Sequence, residues 1–311
     1  MLRVLARRSG QAVLTLAGAG VLIFAMLAVT PGDPARRVLL ARGVQQPSAV
    51  AVAAVRGELH LDDPLLVRFG RWAGGALTGD LGISWRSGRP VVDDFVTLLP
   101  ATLRLTVAAL GIAIVLAMLL AALAAAAPGR WPDTVARVVG LAMIAVPTFV
   151  IGVVVLDVLV VRWGYGRVIA DGTWATVFLP ALVLALASAT TWSRVLRTAL
   201  LEARSAPHLR VSTARGAGPW RRLWAHELPN AAPPFLTMVG LGAGFLLGGA
   251  PIVESVFTWP GIGRFTVEAI DARDMPVVVG FTLVAVLAFV LTSLVTDLIA
   301  TLVDPRLRTP T

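Results

Sequence analysis

Cysteine and lysine are both missing from this chain, and each absence removes a class of chemistry. Without cysteine there is no disulfide and no thiolate nucleophile. Without lysine there is no P-loop, because that Gly-rich turn needs the following Lys to reach the β- and γ-phosphates. The chain therefore does not hydrolyse ATP by that route. Charge of either sign is scarce, at 14% of residues against about 25% in soluble domains. The three histidines, His60, His208 and His226, share no ligand spacing, which argues against a metal centre. All 27 basic residues are arginine and the net charge is +9. In a chain this apolar, such arginines set topology and meet lipid headgroups rather than nucleic acid.

What remains is mostly hydrocarbon. Of 311 residues 57% are hydrophobic, and the mean hydropathy is +0.82, so lipid is the solvent for most of the chain. Arg3, Arg7 and Arg8 precede an apolar run from Ala12 to Val29. It begins like a signal peptide but is long enough to cross, and no small-x-small cleavage site precedes Pro31-Gly32; it is read as a retained first span. Residues 31–100 form a mixed polar subdomain. In it Ser48 is expected to cap a short helix through about Arg56, and Asp63-Pro64 to open another that ends at Gly74-Gly75. Five more spans follow: Leu105–Ala127, Val138–Val161 with a kink at Pro147, Ala175–Trp192 continuing to about Glu202, Ala231–Val253 and Val277–Thr296. Each is near the roughly 20 residues a crossing needs. The expectation is an all-α polytopic membrane protein: residues 1–30 hold the N-terminus and first span, 31–100 the subdomain, 101–303 the remaining core, and 304–311 a tail.

Arginine bias orients it. With the N-terminus inside, the segments 1–10, 128–137, 193–230 and 304–311 carry 14 arginines, against 4 in the loops 162–174 and 254–276. Both termini are thus expected in the cytoplasm and the subdomain outside.

Several residues stand out. Asp157, near the end of its span, is a proton-relay candidate by location, although Arg162 nearby favours a plain interfacial pair. Glu254 is expected to mark where the fifth span leaves the membrane. Gly240, Gly244 and Gly248 recur every four residues, a stripe that admits a close helix: either packing within the chain or a subunit interface or gate. Trp259, Pro260 and Gly261 lie in an aromatic turn, with Trp259 suited to the membrane interface.

The polar island of residues 194–230 is the most patterned stretch. Ser205 through Arg215 reads as a short helix stopped by Gly216. Gly218-Pro219 opens a second, with Trp220, Leu223, Trp224 and Leu228 on one apolar face and Pro229 ending it. The first helix, offered between glycines, suits insertion into a cleft of a soluble partner.

These residues resemble a known family. Arg197-Thr198-Ala199-Leu200-Leu201-Glu202, His208-Leu209-Arg210-Val211-Ser212-Thr213-Ala214-Arg215-Gly216 and His226-Glu227-Leu228-Pro229-Asn230-Ala231 are similar to the cytoplasmic EAA loop of permease subunits in binding-protein-dependent ABC importers. The variant resembled is that of the dipeptide/oligopeptide/nickel branch. Pro31-Gly32-Asp33-Pro34, Leu61-Asp62-Asp63-Pro64-Leu65, Gly79-Asp80-Leu81-Gly82-Ile83-Ser84, Phe257 through Arg264, Arg273-Asp274-Met275-Pro276 and Asp304-Pro305-Arg306 extend the likeness over essentially the whole chain. Pro207, His208, Thr213 and Arg215 depart from the usual pattern at their positions.

The resemblance implies a type I importer permease fold with six transmembrane helices, in the bacterial inner membrane. It implies import of peptides or similar small solutes, and a coupling helix seated in a groove of an ATPase, with Glu202, His208, Leu209, Arg210, Ser212, Ala214, Arg215 and Gly216 at the contact. The implied partners are a second, homologous permease in a heterodimer, two ATPase subunits that hold the ATP and Mg, and an extracytoplasmic substrate-binding protein. The competing reading is a proton-coupled secondary transporter carrying its proton on Asp157. Such carriers commonly show internal repeats, and none is evident across these spans. No catalytic constellation points to an enzyme.

Overall fold

In the computed structural model the described residues are 2–303, apart from Thr30, Pro31, Val168, His208, Arg210, Val211, Thr213 and Ala214. Among them the regular secondary structure is helical, with one isolated bridge pairing Ile83 and Pro90. Helix α1 (Leu2–Val29) is followed by three short helices, α2 (Pro34–Ala41), α3 (Ala49–Glu58) and α4 (Leu65–Thr78). The core is built from α5 (Val91–Ala126), α6 (Trp131–Ala145), α7 (Thr148–Val155, prolonged by the π-helical Leu156–Arg162) and α8 (Phe178–Ser205). Then come α9 (Trp220–Val256), α10 (Ile262–Asp271) and α11 (Met275–Val303).

Four of these helices, α5, α8, α9 and α11, are long and apolar enough to cross a membrane, and the bent pair α6–α7 counts as a fifth if its two halves form one span. Helix α1 carries a shorter apolar stretch, Gly10–Met26, where the sequence places the first of six spans. The break at Pro147 is sharper than a kink: the two halves meet at 102°. Val146, which precedes the proline, is held extended at φ −90° and ψ 125°, as sterics before proline demand, and α6 stops there.

The core rests on small residues. On α5, Ala101, Leu105, Ala109, Ala113, Ala117, Ala121 and Ala125 are all buried and fall every four residues. That seam of alanines lets α8 approach closely, bringing Ala181, Ala185, Ala189, Trp192, Leu196 and Leu200 into the same cluster. Helix α9 closes it with Ala231, Phe235, Leu246, Ala250 and Val253.

The subdomain is tied together by polar residues of the sequence motifs. Asp33 caps α2 by accepting the Ala35 N–H at 3.0 Å, and Ser48 caps α3 by accepting the Ala51 N–H at 3.2 Å. The Arg56 guanidinium bridges Asp33 at 3.1 Å and Asp62 at 2.6 Å; these two carboxylates raise its pKa above the ordinary arginine value. Asp63 is not the expected N-cap of α4. Pro64 holds that position without a side-chain bond, and Asp63 instead pairs with Arg71 at 2.9 Å. Nor does α4 end at Gly74-Gly75. It runs to Gly79, whose φ of 86° turns the chain while the Asp80 N–H donates to the Gly75 carbonyl at 2.8 Å, a left-handed glycine stop. The following turn is pinned to the core by Asp274, which accepts from the Ser84 hydroxyl and from the Trp85 and Arg86 N–H groups at 2.5, 3.1 and 3.2 Å.

Candidate functional site

The island hangs from the end of α8, and its base is fastened by two ion pairs. Arg197 grips Asp133 through a fork, Nε to Oδ1 and Nη2 to Oδ2, both at 2.7 Å. The Asp133 carboxylate is buried and also accepts the Gly129 N–H at 2.9 Å, and Arg137 lies 3.5 Å away. Seven residues on, about two turns further along the same face of α8, Arg204 Nε donates to the buried Glu227 at 2.7 Å. Its Nη1 donates to the Ala125 carbonyl at the end of α5. The helix that leads into the island and the helix that returns from it are thus joined at their roots. A planar guanidinium suits such two-point grips in a way an ammonium does not.

Within the island, Pro207, Leu209 and Ser212 are helical. His208, Arg210 and Ala214, named from sequence as partner contacts, lie outside the described residues. Gly216 has a φ of 80°, and the Ala217 N–H donates to the Ser212 carbonyl at 3.2 Å. This is the six-to-one bond of a Schellman stop with glycine in the left-handed position. Glu202, Arg215 and Gly216 are exposed, while Leu209 is buried. The second island helix does not stop at Pro229. The π-helical turn Leu223–Glu227 precedes Leu228, so Pro229 falls in the first turn of the resumed α-helix, where its missing N–H costs no bond. Trp220 and Trp224 stack edge to face at 5.6 Å and both are exposed; Leu223 and Leu228 pack on the core.

At the opposite end a second polar knot lies in the apolar interior. Glu254, two residues before α9 ends at Val256, is fully buried within the protein. It accepts from the Thr102 hydroxyl at 2.6 Å and from the Arg264 N–H at 2.9 Å. Thr102 in turn accepts the Ile262 N–H at 3.0 Å. Trp259 is buried as well rather than interfacial, and its Nε1–H donates to the Ala101 carbonyl at 3.0 Å. Gly261 and Gly263 are required by this packing: a Cβ on Gly261 would overlap the Glu254 carboxylate, and one on Gly263 would lie 2.6 Å from Pro251 Cα. Pro260 packs against Gly172 in the loop before α8.

The glycine stripe divides. A Cβ on Gly240 would overlap Thr296, and one on Gly244 would meet Phe289 at 2.6 Å, so these two serve packing against α11. Gly248 has nothing within 4 Å and lies on an exposed face with Leu241, Phe245 and Ile252. Asp157 is paired with Arg162 at 2.7 Å and is half exposed. A cavity of about 710 Å³, bounded by Trp163, Tyr165, Arg167, Phe178 and Phe257, opens beside this end. No group of three or more His, Cys, Asp and Glu able to hold a metal occurs among the described residues.

Asp133 and the Arg204–Glu227 pair were not singled out from sequence, and Glu254 was noted there only as an end of its span, not as the centre of a buried knot. For Glu254 a signal exists: two glycines follow within nine residues, and glycines near a carboxylate are where backbone N–H groups close on it.

A bundle of membrane-length apolar helices with a bent pair and a polar island is the architecture of a multi-pass membrane protein. The chain belongs to the family described as binding-protein-dependent transport system inner membrane component, whose profile matches residues 113–309; the profile for the N-terminal part of such components matches residues 1–106. It is 34% identical over 308 residues, 99% of both chains, to the glutathione transport system permease protein GsiC of Escherichia coli O6:H1. The same identity and coverage hold for GsiC of Salmonella paratyphi A. Among solved structures, the inward-facing MetNI methionine ABC transporter aligns with a TM-score of 0.54 at 19% identity, covering 68% of this chain and 96% of that one, a likeness of fold. The chain is therefore a multi-pass inner-membrane permease subunit of a binding-protein-dependent ABC importer. Its partners are ATPase and substrate-binding proteins. The proton-carrier alternative has no support.

Proposed function

We propose that this permease lines one half of a translocation path for peptides or similar small solutes, and that it couples to its ATPases through the island helix ending at Gly216. Glutathione, a tripeptide, is named for its relatives, and this supports the peptide class. ATP and Mg are bound on two separate ATPase subunits, since this chain lacks the lysine a P-loop requires. A second, homologous permease completes the path as a heterodimer. The arginine bias of the segments supports an orientation with both termini in the cytoplasm.

The observation that supports the coupling role is the exposed left-handed stop at Gly216, which lies beyond a base held by Arg197 and Arg204; in this reading a load on the island passes through that base to the spans. ATP-driven approach of the ATPases draws the two coupling helices together, and the spans rock between inward- and outward-open states. Gly216→Trp and Arg210→Glu test this. Each variant is expected to remain in the membrane while losing ATPase co-purification and ATP-driven uptake. Unchanged association and uptake in both refutes the role.

A further inference from the structure

We infer that Arg204–Glu227 and Arg197–Asp133 are the transmission pairs of this permease: positioning residues that make the island, α6, α8 and α9 move as one body. The inference rests on the coupling role proposed above and says how the motion leaves the island. Arg204 is on α8 and Glu227 at the root of α9, so their contact at 2.7 Å closes the island into a loop with a fixed neck. The donation from Arg204 to the Ala125 carbonyl adds the end of α5 to that neck. Two turns back, Arg197 holds Asp133 in the first turn of α6. Asp133 also takes the Gly129 N–H of the turn that links α5 to α6. Arg204 therefore joins α8 to α9 and α5, and Arg197 joins it to α6, so all four helix ends at this face are cross-linked by polar contacts rather than only by apolar sliding surfaces.

The choice of chemistry matters. Apolar helix contacts tolerate translations of about 1–2 Å, whereas a forked pair at 2.7 Å does not. A hydrophobic pair at either site packs as well but slips. Helix α6 then passes the displacement to α7 across the bend of 102° at Pro147, which turns a movement near the island into a swing of the other half of the broken span.

The test uses two spin labels in the complete complex with its ATPase subunits. The chain has no cysteine, so Gly218→Cys and Leu141→Cys create the only thiols on it. A Cβ at Gly218 meets nothing within 4 Å, and Leu141 is exposed on α6. The pulsed electron–electron distance between them is measured with and without ATP and vanadate. In the otherwise native background the distance is expected to stay constant. In the double variant Arg204→Ala/Glu227→Ala, which leaves no buried charge unpaired, ATP and vanadate are expected to shift its mean by about 2 Å, the scale of helix slippage. Should that variant fail to insert, Arg197→Lys keeps the charge, removes the fork and is expected to show the same shift. A distance that changes in the native background overturns the inference, as does a variant that stays as constant as the native chain. Loss of ATPase co-purification from the labelled native chain counts separately, against the coupling role itself.

Discussion

Replacing Thr102 with valine probes the polar knot at the far end of the bundle. The hydroxyl does two jobs, donating to Glu254 at 2.6 Å and accepting from the Ile262 N–H at 3.0 Å. All three groups are buried. Valine matches the shape and removes the oxygen, so one N–H and one carboxylate oxygen lose a partner where water does not reach. Each such loss costs about 1–3 kcal/mol, so the substitution is expected to cost roughly 2–6 kcal/mol. Thr102→Ser keeps the hydroxyl and loses only a methyl, worth about 0.8 kcal/mol. In detergent, Thr102→Val is expected to unfold roughly 3–9 °C below the native chain, with Thr102→Ser within about 1–2 °C of it. Equal melting temperatures for the two variants would show that Glu254 is held by other means, and that the knot is not what joins α5, α9 and α10.

Other outcomes follow from the same geometry. Gly263→Ala places a Cβ 2.6 Å from Pro251 Cα, and is expected to lower thermal stability by about 1–3 kcal/mol, read by the same melting assay. Gly248→Leu, where no atom lies within 4 Å, is expected to leave the melting temperature of the isolated chain unchanged while weakening co-purification of the second permease; full association removes Gly248 from that interface. Asp171 is pulled down to about 2 by the Thr176 and Thr173 hydroxyls and the Thr173 N–H. Its contribution to loop order is therefore complete above the ordinary carboxylate value of about 3.9 and is lost as pH falls toward 2. Amide protection of residues 171–176, corrected for intrinsic exchange, is expected to stay flat from about pH 8 to about pH 5 and to fall in stronger acid; a loss near neutrality contradicts the assignment.

Crossings were legible because lipid imposes a length on apolar runs, and the continuation of α8 past Trp192 was legible because nothing breaks it before Pro207. The stop at Gly216 could be read because left-handed backbone calls for glycine. Helix ends governed by tertiary structure were not legible. Pro229 looks like a terminator in one dimension, yet a preceding π-turn absorbs it. Gly74-Gly75 looks like a stop, yet the left-handed turn falls at Gly79. Pro147 announced a break but not its size of 102°. Long-range pairs escaped for a simpler reason: Asp133 and Arg197 are 64 residues apart and Thr102 and Glu254 are 152 apart, and no periodicity connects them. Trp259 carried the composition of a membrane anchor, while its indole N–H had a partner, the Ala101 carbonyl, that only the fold supplies.

Cross-linking from a single thiol at Arg215→Cys, in membranes holding the assembled transporter, reaches the central claim most directly. The residue is exposed beside the glycine stop, and the chain offers no other cysteine. A cross-link to the ATPase subunit is predicted from this position, with none from Leu141→Cys on α6. Absence of any ATPase cross-link at Arg215, together with solute uptake by this chain alone in liposomes under a proton gradient, would contradict the account.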